Sequence, residues 1–134
     1  MHWAVDYIGR EWVSGAQGPD TFDCWGFLRY VQRERFGINI PVVDLDDVDP
    51  RIALRAFNGN RQWLRVSSPQ EGDCVRLSYS TDPHVGVWID ADGGGLLHCV
   101  EHTGVIFNNL SALRLNGWKR IKYYRYSRDM KYTR

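Results

Sequence analysis

A helical pattern of apolar residues runs along residues 24–36. Leu28 and Val31 follow the first residue at spacings of four and three, which is the period of one helix face. Asp23 stands where an N-terminal cap is expected, and Gly37 stands where such a helix should end. The sequence therefore predicts an amphipathic helix that begins at residue 24.

Weaker patterns surround this helix. The first ten residues predict a short helix with Trp3, Tyr7 and Ile8 on one side. Residues 11–23 contain two Gly and one Pro and predict a structured loop. Residues 38–50 predict an acidic surface loop, and a second helix is expected from Arg51 to Phe57, after Pro50.

After Pro69 the pattern changes to short alternating runs that are typical of β-strands. Residues 89–96 and 101–104 between them are typical of hairpin connections. From Arg114 onward there are eight Lys and Arg against one Asp, which favours a solvated edge strand. Helices followed by an antiparallel meander predict an α+β fold. The predicted strands are Cys74–Tyr79, His84–Ile89, Leu96–Glu101, Gly104–Asn108 and Trp118–Tyr126.

Length and composition narrow the function classes. The 134 residues fit one domain spanning 1–134, and a formal net charge of +1 gives no reason to expect a nucleic-acid or membrane partner. No apolar run approaches the roughly 18 residues that span a bilayer. Residues 1–6 lack the basic flank and apolar stretch of a secretory signal, so we expect synthesis in the cytoplasm. Three cysteines, an odd number, favour reduced thiols over a disulfide framework.

Cys24 is the first candidate for chemistry. In the first turn of the predicted helix, the helix dipole and free backbone N–H groups stabilise a thiolate. A thiolate is a nucleophile, and the same N–H groups could hold a developing oxyanion. The alternative is an ordinary buried cysteine on the inner edge of the helix, as we expect for Cys74 and Cys99 in their strands.

His84 and His98 could act together with this thiol. On a strand His84 shares a face with Gly86, and the glycine would clear space for the helix start to bring Cys24 against the imidazole. A hairpin register that pairs His98 with Gly86 places it diagonal to His84, where a third group would orient the base. The alternative for His84 is a histidine at a strand edge without chemistry.

A zinc site is the competing interpretation. It would use His98, Cys99 and His102, together with Cys74. Strand geometry disfavours it, because His98 and Cys99 point to opposite faces, and the chain has no C-x-x-C pair. We therefore expect no metal.

Three blocks in order resemble the NlpC-type papain-like cell-wall cysteine peptidases. They are residues 9–28, with Gly-Pro-Asp-Thr-Phe-Asp-Cys-Trp-Gly, residues 83–89, Pro-His-Val-Gly-Val-Trp-Ile, and residues 95–98, Gly-Leu-Leu-His. The first block is most similar to a phage and prophage branch encoded near tail genes. The resemblance implies a papain-like fold, no cofactor, and hydrolysis of the peptidoglycan stem peptide between γ-D-Glu and a diamino acid. It also implies phage tail proteins as partners and a virion location.

The resemblance carries roles to particular residues. Cys24 would be the nucleophile, His84 the general base and acid, and His98 the orienting residue. Asp23 would bind the free amine of the stem peptide. Trp12 stands where the family usually has a Tyr that helps the oxyanion, and Trp25, where a Ser is usual, would alter the cleft wall.

Two other functions remain open on the sequence. One is a tail-assembly or tail-tip structural protein whose triad has little or no catalytic role. The other is an amidase or acyltransferase that acts on a different amide.

Overall fold

The structure, a computed structural model, describes residues 2–40 and 63–126. The predicted loop at 38–50 is described only as far as residue 40, and the predicted helix Arg51–Phe57 lies outside the described residues. The elements are a 3-10 turn at Trp3–Asp6, β1 at Glu11–Trp12, β2 at Thr21–Phe22, α1 at Cys24–Phe36, β3 at Trp63–Val66, β4 at Cys74–Tyr79, β5 at Asp82–Ile89, a 3-10 turn at Ala91–Gly93, β6 at Gly95–Val100, β7 at Gly104–Asn109, α2 at Leu110–Leu115 and β8 at Trp118–Tyr126.

The predicted main helix is confirmed at both ends. Asp23 has extended backbone angles and its side chain accepts a hydrogen bond from the Gly26 N–H at 2.6 Å. Gly37 ends the helix in the left-handed conformation, with φ of 66°, which glycine adopts without a steric penalty. The inward face is fully buried at Phe27, Leu28 and Val31 among others, so α1 is held by packing as well as by its caps.

The N-terminal part differs from the sequence prediction. The first helix is a 3-10 turn of four residues, Trp3–Asp6. Ile8 is 48% exposed whereas Tyr7 is 4% exposed, so the prediction that places Trp3, Tyr7 and Ile8 on one side is wrong for Ile8. The segment predicted as a loop contains β1 and β2, which pair in parallel through two residues each. Strands this short leave no alternating pattern that sequence could reveal.

The described residues form one six-stranded sheet in the order β3-β8-β4-β5-β6-β7, in which neighbouring strands are antiparallel. The five predicted strands are present with bounds within two residues, and the two predicted hairpins join β5 to β6 and β6 to β7. Besides β1 and β2, the strand β3 and the short helix α2 escaped the prediction. The resulting α+β architecture is the predicted fold class.

The basic strand β8 is not at an edge, contrary to the prediction. It lies between β3 and β4 and pairs with both. The prediction failed because β3 was not recognised, and β3 covers the side of β8 that was expected to face water. Lys119 and Arg120 of β8 are nevertheless exposed to solvent.

Each face of the sheet carries its own apolar cluster. On one face, Val85, Val87 and Leu97 pack with the buried side of α1. On the opposite face, Trp88 and Leu96 belong to a second cluster that includes Leu113 of α2. The alternation predicted for β5 is thereby confirmed. Within residues 2–40 and 63–126, no helix combines the length and the apolar character needed to cross a bilayer.

Candidate active site

Cys24 lies where the sequence places it, at the first residue of α1, and is half-buried. The two oxygens of the Asp23 carboxylate hold the preceding loop against the helix start. Oδ1 accepts from the Gly26 N–H at 2.6 Å, and Oδ2 accepts from the Gly15 N–H at 3.1 Å. This double contact fixes the position from which the Cys24 thiol projects.

The thiol is protonated at rest, in contrast to the expected thiolate. Burial raises the pKa of Cys24 to about 12, and the negative charge of Asp23 acts in the same direction. Backbone N–H groups of Val85, Trp25 and Cys24 itself lower the pKa, but they do not offset the burial. The helix start and Val85 of β5 therefore supply donors around the sulfur, but these donors do not ionise it.

His84 and His98 form a buried hydrogen-bonded pair. His84 Nε2 lies 2.9 Å from His98 Nδ1, and the two side chains belong to residues that are 8% and 0% exposed. Trp118 stacks on the His84 ring with centroids 4.7 Å apart and meets the His98 ring edge-on at 5.7 Å. The structure thus brings together the two histidines that the hairpin register predicted, and an aromatic wall confines them.

Both imidazoles are neutral. Burial lowers the pKa of His84 well below its usual range, and the neighbouring His98 adds to the effect. Burial also lowers the pKa of His98 to about 4, although its hydrogen bond to Asn108 opposes this. A neutral imidazole can accept a proton, which is what a general base must do.

Asn108 completes the chain of contacts and was missed in the sequence analysis. Its Oδ1 lies 2.8 Å from His98 Nε2. A signal was present in the sequence. Asn108 lies two residues after Ile106 on a predicted strand and so shares its face, and a polar side chain beside an apolar one needs a partner when it is buried. Only the register of β6 and β7 shows that this partner is His98.

Gly86 makes room for a different neighbour than predicted. A Cβ atom at this position would lie 2.6 Å from Leu96 Cδ1, 2.8 Å from His98 Cβ and 2.9 Å from the Leu97 carbonyl oxygen. All three atoms belong to β6. The glycine therefore admits the neighbouring strand and its histidine, which are the nearest groups.

Cys24 and His84 line one cavity of about 800 Å³. Trp12 and Trp118 form apolar parts of its wall, and Asn108 also lines it. The thiol, the proposed base and the Trp12 side chain therefore face a common space that a substrate could enter. The remaining lining residues are Tyr79, Asp82, Pro83, Val100, Glu101, His102, Thr103, Ile106 and Asn116.

Two predicted substrate-binding residues are not in this lining. Trp25, the second residue of α1, is 6% exposed and belongs to the apolar core, so the structure does not bring it to the cavity wall. Asp23 uses both carboxylate oxygens to bind backbone N–H groups. Burial raises the pKa of Asp23 against these hydrogen bonds.

The strand geometry that disfavoured zinc is confirmed. His98 contacts His84 on one face of β6, while the Cys99 thiol donates to the Phe22 carbonyl oxygen at 3.3 Å on the other. His102 is exposed in a turn with φ of 67°. Within the part of the chain that the structure describes, no three His, Cys, Asp or Glu side chains are grouped to hold a metal ion.

An α+β fold with a cysteine at a helix start, on a cavity that it shares with a sheet histidine hydrogen-bonded to a second histidine, defines a protein of the papain-like class. The chain belongs to the NlpC/P60 family, whose model matches residues 9–125. It is similar to the crystal structure of the NlpC/p60 domain of the peptidoglycan hydrolase SagA. That likeness has a TM-score of 0.57 and 23% identity and covers 90% of this chain and 91% of the other. It confirms the predicted fold.

Curated relatives carry the name probable endopeptidase p60. The protein from Listeria grayi is 31% identical over 116 residues, which are 86% of this chain and 19% of the relative. The protein from Listeria seeligeri is 28% identical over 116 residues, again 86% of this chain and 19% of the relative. The chain therefore spans about a fifth of the length of these relatives.

Proposed function

We propose that this protein is a cysteine peptidase that hydrolyses peptide bonds of the peptidoglycan stem. The single observation that carries the proposal is the placement of Cys24 on one cavity with His84, which is hydrogen-bonded to His98. Membership of the NlpC/P60 family and the name endopeptidase on its relatives support the same chemistry. The chain spans about a fifth of the length of those relatives. The proposed reaction therefore depends on the residues of this chain and not on the activity of the relatives.

The reaction begins from a neutral thiol and a neutral imidazole. As Cys24 Sγ attacks the substrate carbonyl carbon, His84 takes the thiol proton, so the thiolate forms only as it is used. The tetrahedral oxyanion is held by backbone N–H groups at the start of α1 and by the Trp12 Nε1–H. When the C–N bond breaks, His84 returns its proton to the leaving amine and an acyl-thioester remains on Cys24.

Hydrolysis of the thioester restores the site. A water molecule gives one proton to His84 and adds to the thioester carbonyl, after which Cys24 Sγ leaves and receives the proton back. His98 keeps contact with His84 throughout, as an orienting residue. In this scheme the lowered pKa of His84 favours return of the proton to each leaving group.

The sequence resemblance supports the substrate class. It points to the bond between γ-D-Glu and the diamino acid of the stem peptide. The same resemblance suggests that Asp23 contacts the free amine of the stem peptide and that Trp25 shapes the wall of the cavity. Asp23 already binds two backbone N–H groups, and Trp25 is buried. The better-supported form of this proposal is therefore that both residues act indirectly, by holding Cys24 in position.

Digestion of purified muropeptides tests the proposed reaction. The wild-type chain should release a new amine and a shortened stem peptide, and Cys24→Ala should release none. Cys74→Ala is the matched control, because it removes a fully buried thiol on β4 outside the cavity and should keep activity. Cleavage by Cys24→Ala would overturn the mechanism. Mass spectrometry of the products identifies the scissile bond and separates hydrolysis from acyl transfer.

The resemblance of residues 9–28 to the phage and prophage branch supports a tail-associated role. In that setting the protein would be made in the cytoplasm, assembled with tail proteins, and carried to the cell wall by the particle. An antiserum against the chain should label purified tail particles from the source strain. Labelled particles together with an inactive wild-type chain would instead favour a structural tail protein.

A further inference from the structure

We infer that Asn108 is a positioning residue that fixes the proton positions of both histidines, so that His84 presents a lone pair at Nδ1 to the Cys24 thiol. The inference rests on the proposed function for the role of His84 in catalysis. The proton positions themselves are a property of the resting protein, and they can be measured without any substrate.

The three side chains lie on a diagonal across neighbouring strands. Continuing the β5–β6 register by one residue pairs Gly86 with His98, which makes His84 the diagonal neighbour of His98. The β6–β7 register pairs His98 with Ile106, which makes Asn108 its diagonal neighbour on the other side. Diagonal neighbours on one face are within reach of long side chains. The sheet register therefore holds all three groups in line.

Hydrogen-bond donors and acceptors can be assigned along this line. Asn108 Oδ1 is an acceptor, so the partner nitrogen, His98 Nε2 at 2.8 Å, carries the proton. Neutral His98 then has a lone pair at Nδ1, which accepts from the Nε2–H of His84 at 2.9 Å. Neutral His84 keeps its own lone pair at Nδ1. That atom is the one ring nitrogen left to take the proton of Cys24.

The opposite assignment would remove the base. If the Asn108 amide donated its N–H to His98 Nε2, His98 would carry its proton at Nδ1 and donate to His84 Nε2. His84 would then hold its proton at Nδ1 and face the thiol with a donor. The orientation of one amide thus decides whether His84 can act as the base.

The neutral amide also matters. An aspartate at position 108 would accept the same hydrogen bond, but its charge favours the imidazolium form of His98. Imidazolium carries protons on both nitrogens, and its Nδ1–H would force the wrong proton position on His84. Among the described residues, the titratable side chains that line the cavity together with His84 are Cys24, Tyr79, Asp82, Glu101 and His102.

Nitrogen-15 NMR of the histidine rings tests the assignment in the wild-type chain. At neutral pH, His84 and His98 should each show a protonated Nε2 and an unprotonated Nδ1. Asn108→Leu should leave His98 with a mixture of both forms. Asn109→Ala is the matched control, because Asn109 Oδ1 caps α2 through the Ala112 N–H and does not contact a histidine; both rings should keep the wild-type forms.

Kinetics on stem peptides provide the second readout. Asn108→Leu should lower kcat by roughly 10- to 100-fold while KM changes less than about threefold. Asn108→Asp should have a lower kcat at neutral pH, and its kcat should recover as the pH rises. The reason is that the carboxylate favours protonated His98, which shifts the acid limb of the kcat–pH profile to higher pH.

Two results would overturn the inference. A proton at Nδ1 of either histidine in the wild-type chain contradicts the assignment, whether or not the Asn108 variants fold. Asn108→Asp with the wild-type pH profile contradicts the argument from charge. Inactivity of the wild-type chain with both histidines protonated at Nε2 would refute the proposed function and leave the proton assignment intact.

Discussion

Gly86→Ala tests how closely the two central strands must approach for the site to form. The added Cβ would lie 2.8 Å from His98 Cβ and 2.6 Å from Leu96 Cδ1. Carbon atoms pack favourably at about 3.5 Å or more, so the His98 side chain must retreat by roughly 0.7 Å. The hydrogen bond from His84 to His98, now 2.9 Å long, would then approach or exceed the limit of a useful contact.

Two effects should follow from this displacement. Overpacking of this kind costs about 1–3 kcal/mol, which lowers the melting temperature by roughly 3–12 °C for a domain of this size. Misplacement of the imidazole pair should lower kcat on stem peptides by about 10- to 100-fold. Thermal unfolding followed by circular dichroism measures the first effect, and steady-state hydrolysis measures the second.

A glycine outside the cavity lining supplies the control. Gly9 has φ of 94° and open space where a Cβ would lie, so Gly9→Ala strains the backbone without displacing a histidine. It should lower stability and retain kcat. If Gly86→Ala kept both the wild-type melting temperature and the wild-type kcat, the strands would not need this close approach and the reasoning would be refuted.

Two further predictions follow from the buried titratable groups. Because His98 has a pKa of about 4 when folded and a higher one when unfolded, its stabilising contribution is complete above the unfolded value and is lost as the pH falls. Urea unfolding should show this loss, up to about 1.4 kcal/mol per pH unit between roughly pH 6.5 and 4, and His98→Gln should flatten the profile. Because the pKa of Cys24 is raised to about 12, its alkylation by iodoacetamide should accelerate about tenfold per pH unit through the neutral range. Asp23→Asn keeps the helix cap but removes the charge, so it should speed alkylation at every pH in this range. A rate plateau at mildly acidic pH would show a resting thiolate instead.

Much of the fold could be predicted from local patterns. The helix α1 combines a strong apolar period with a cap at Asp23 and a stop at Gly37, so its bounds follow from sequence. The strands β1 and β2 have two residues each, β3 has four and α2 has six, and all four escaped because elements this short show no period. The Asn109 cap and the Asn116-Gly117 end of α2 were visible as separate signals. The position of β8 depended on β3, which explains the wrong edge assignment.

The residues of the candidate site could largely be predicted from the sequence, but their protonation states could not. The spacing within one hairpin suffices to bring His84 and His98 together, because register and alternation are local properties. The link to Asn108 required the next register as well. The ionisation of Cys24 could not be predicted, because the helix start and the burial act in opposite directions and only the packed structure shows which is larger.

The place of β8 in the sheet has a consequence for how the cleft comes into being during synthesis. A chain that has emerged as far as Gly117 already contains Cys24, both histidines and Asn108, yet β3 still lacks its partner in the sheet. The next residue is Trp118, whose ring stacks on His84, and the strand that it begins joins β3 to β4. The segment β8 thus joins β3 to the rest of the sheet and places Trp118 against His84. A nascent chain that ends before residue 118 has all the proposed catalytic residues but lacks these contacts.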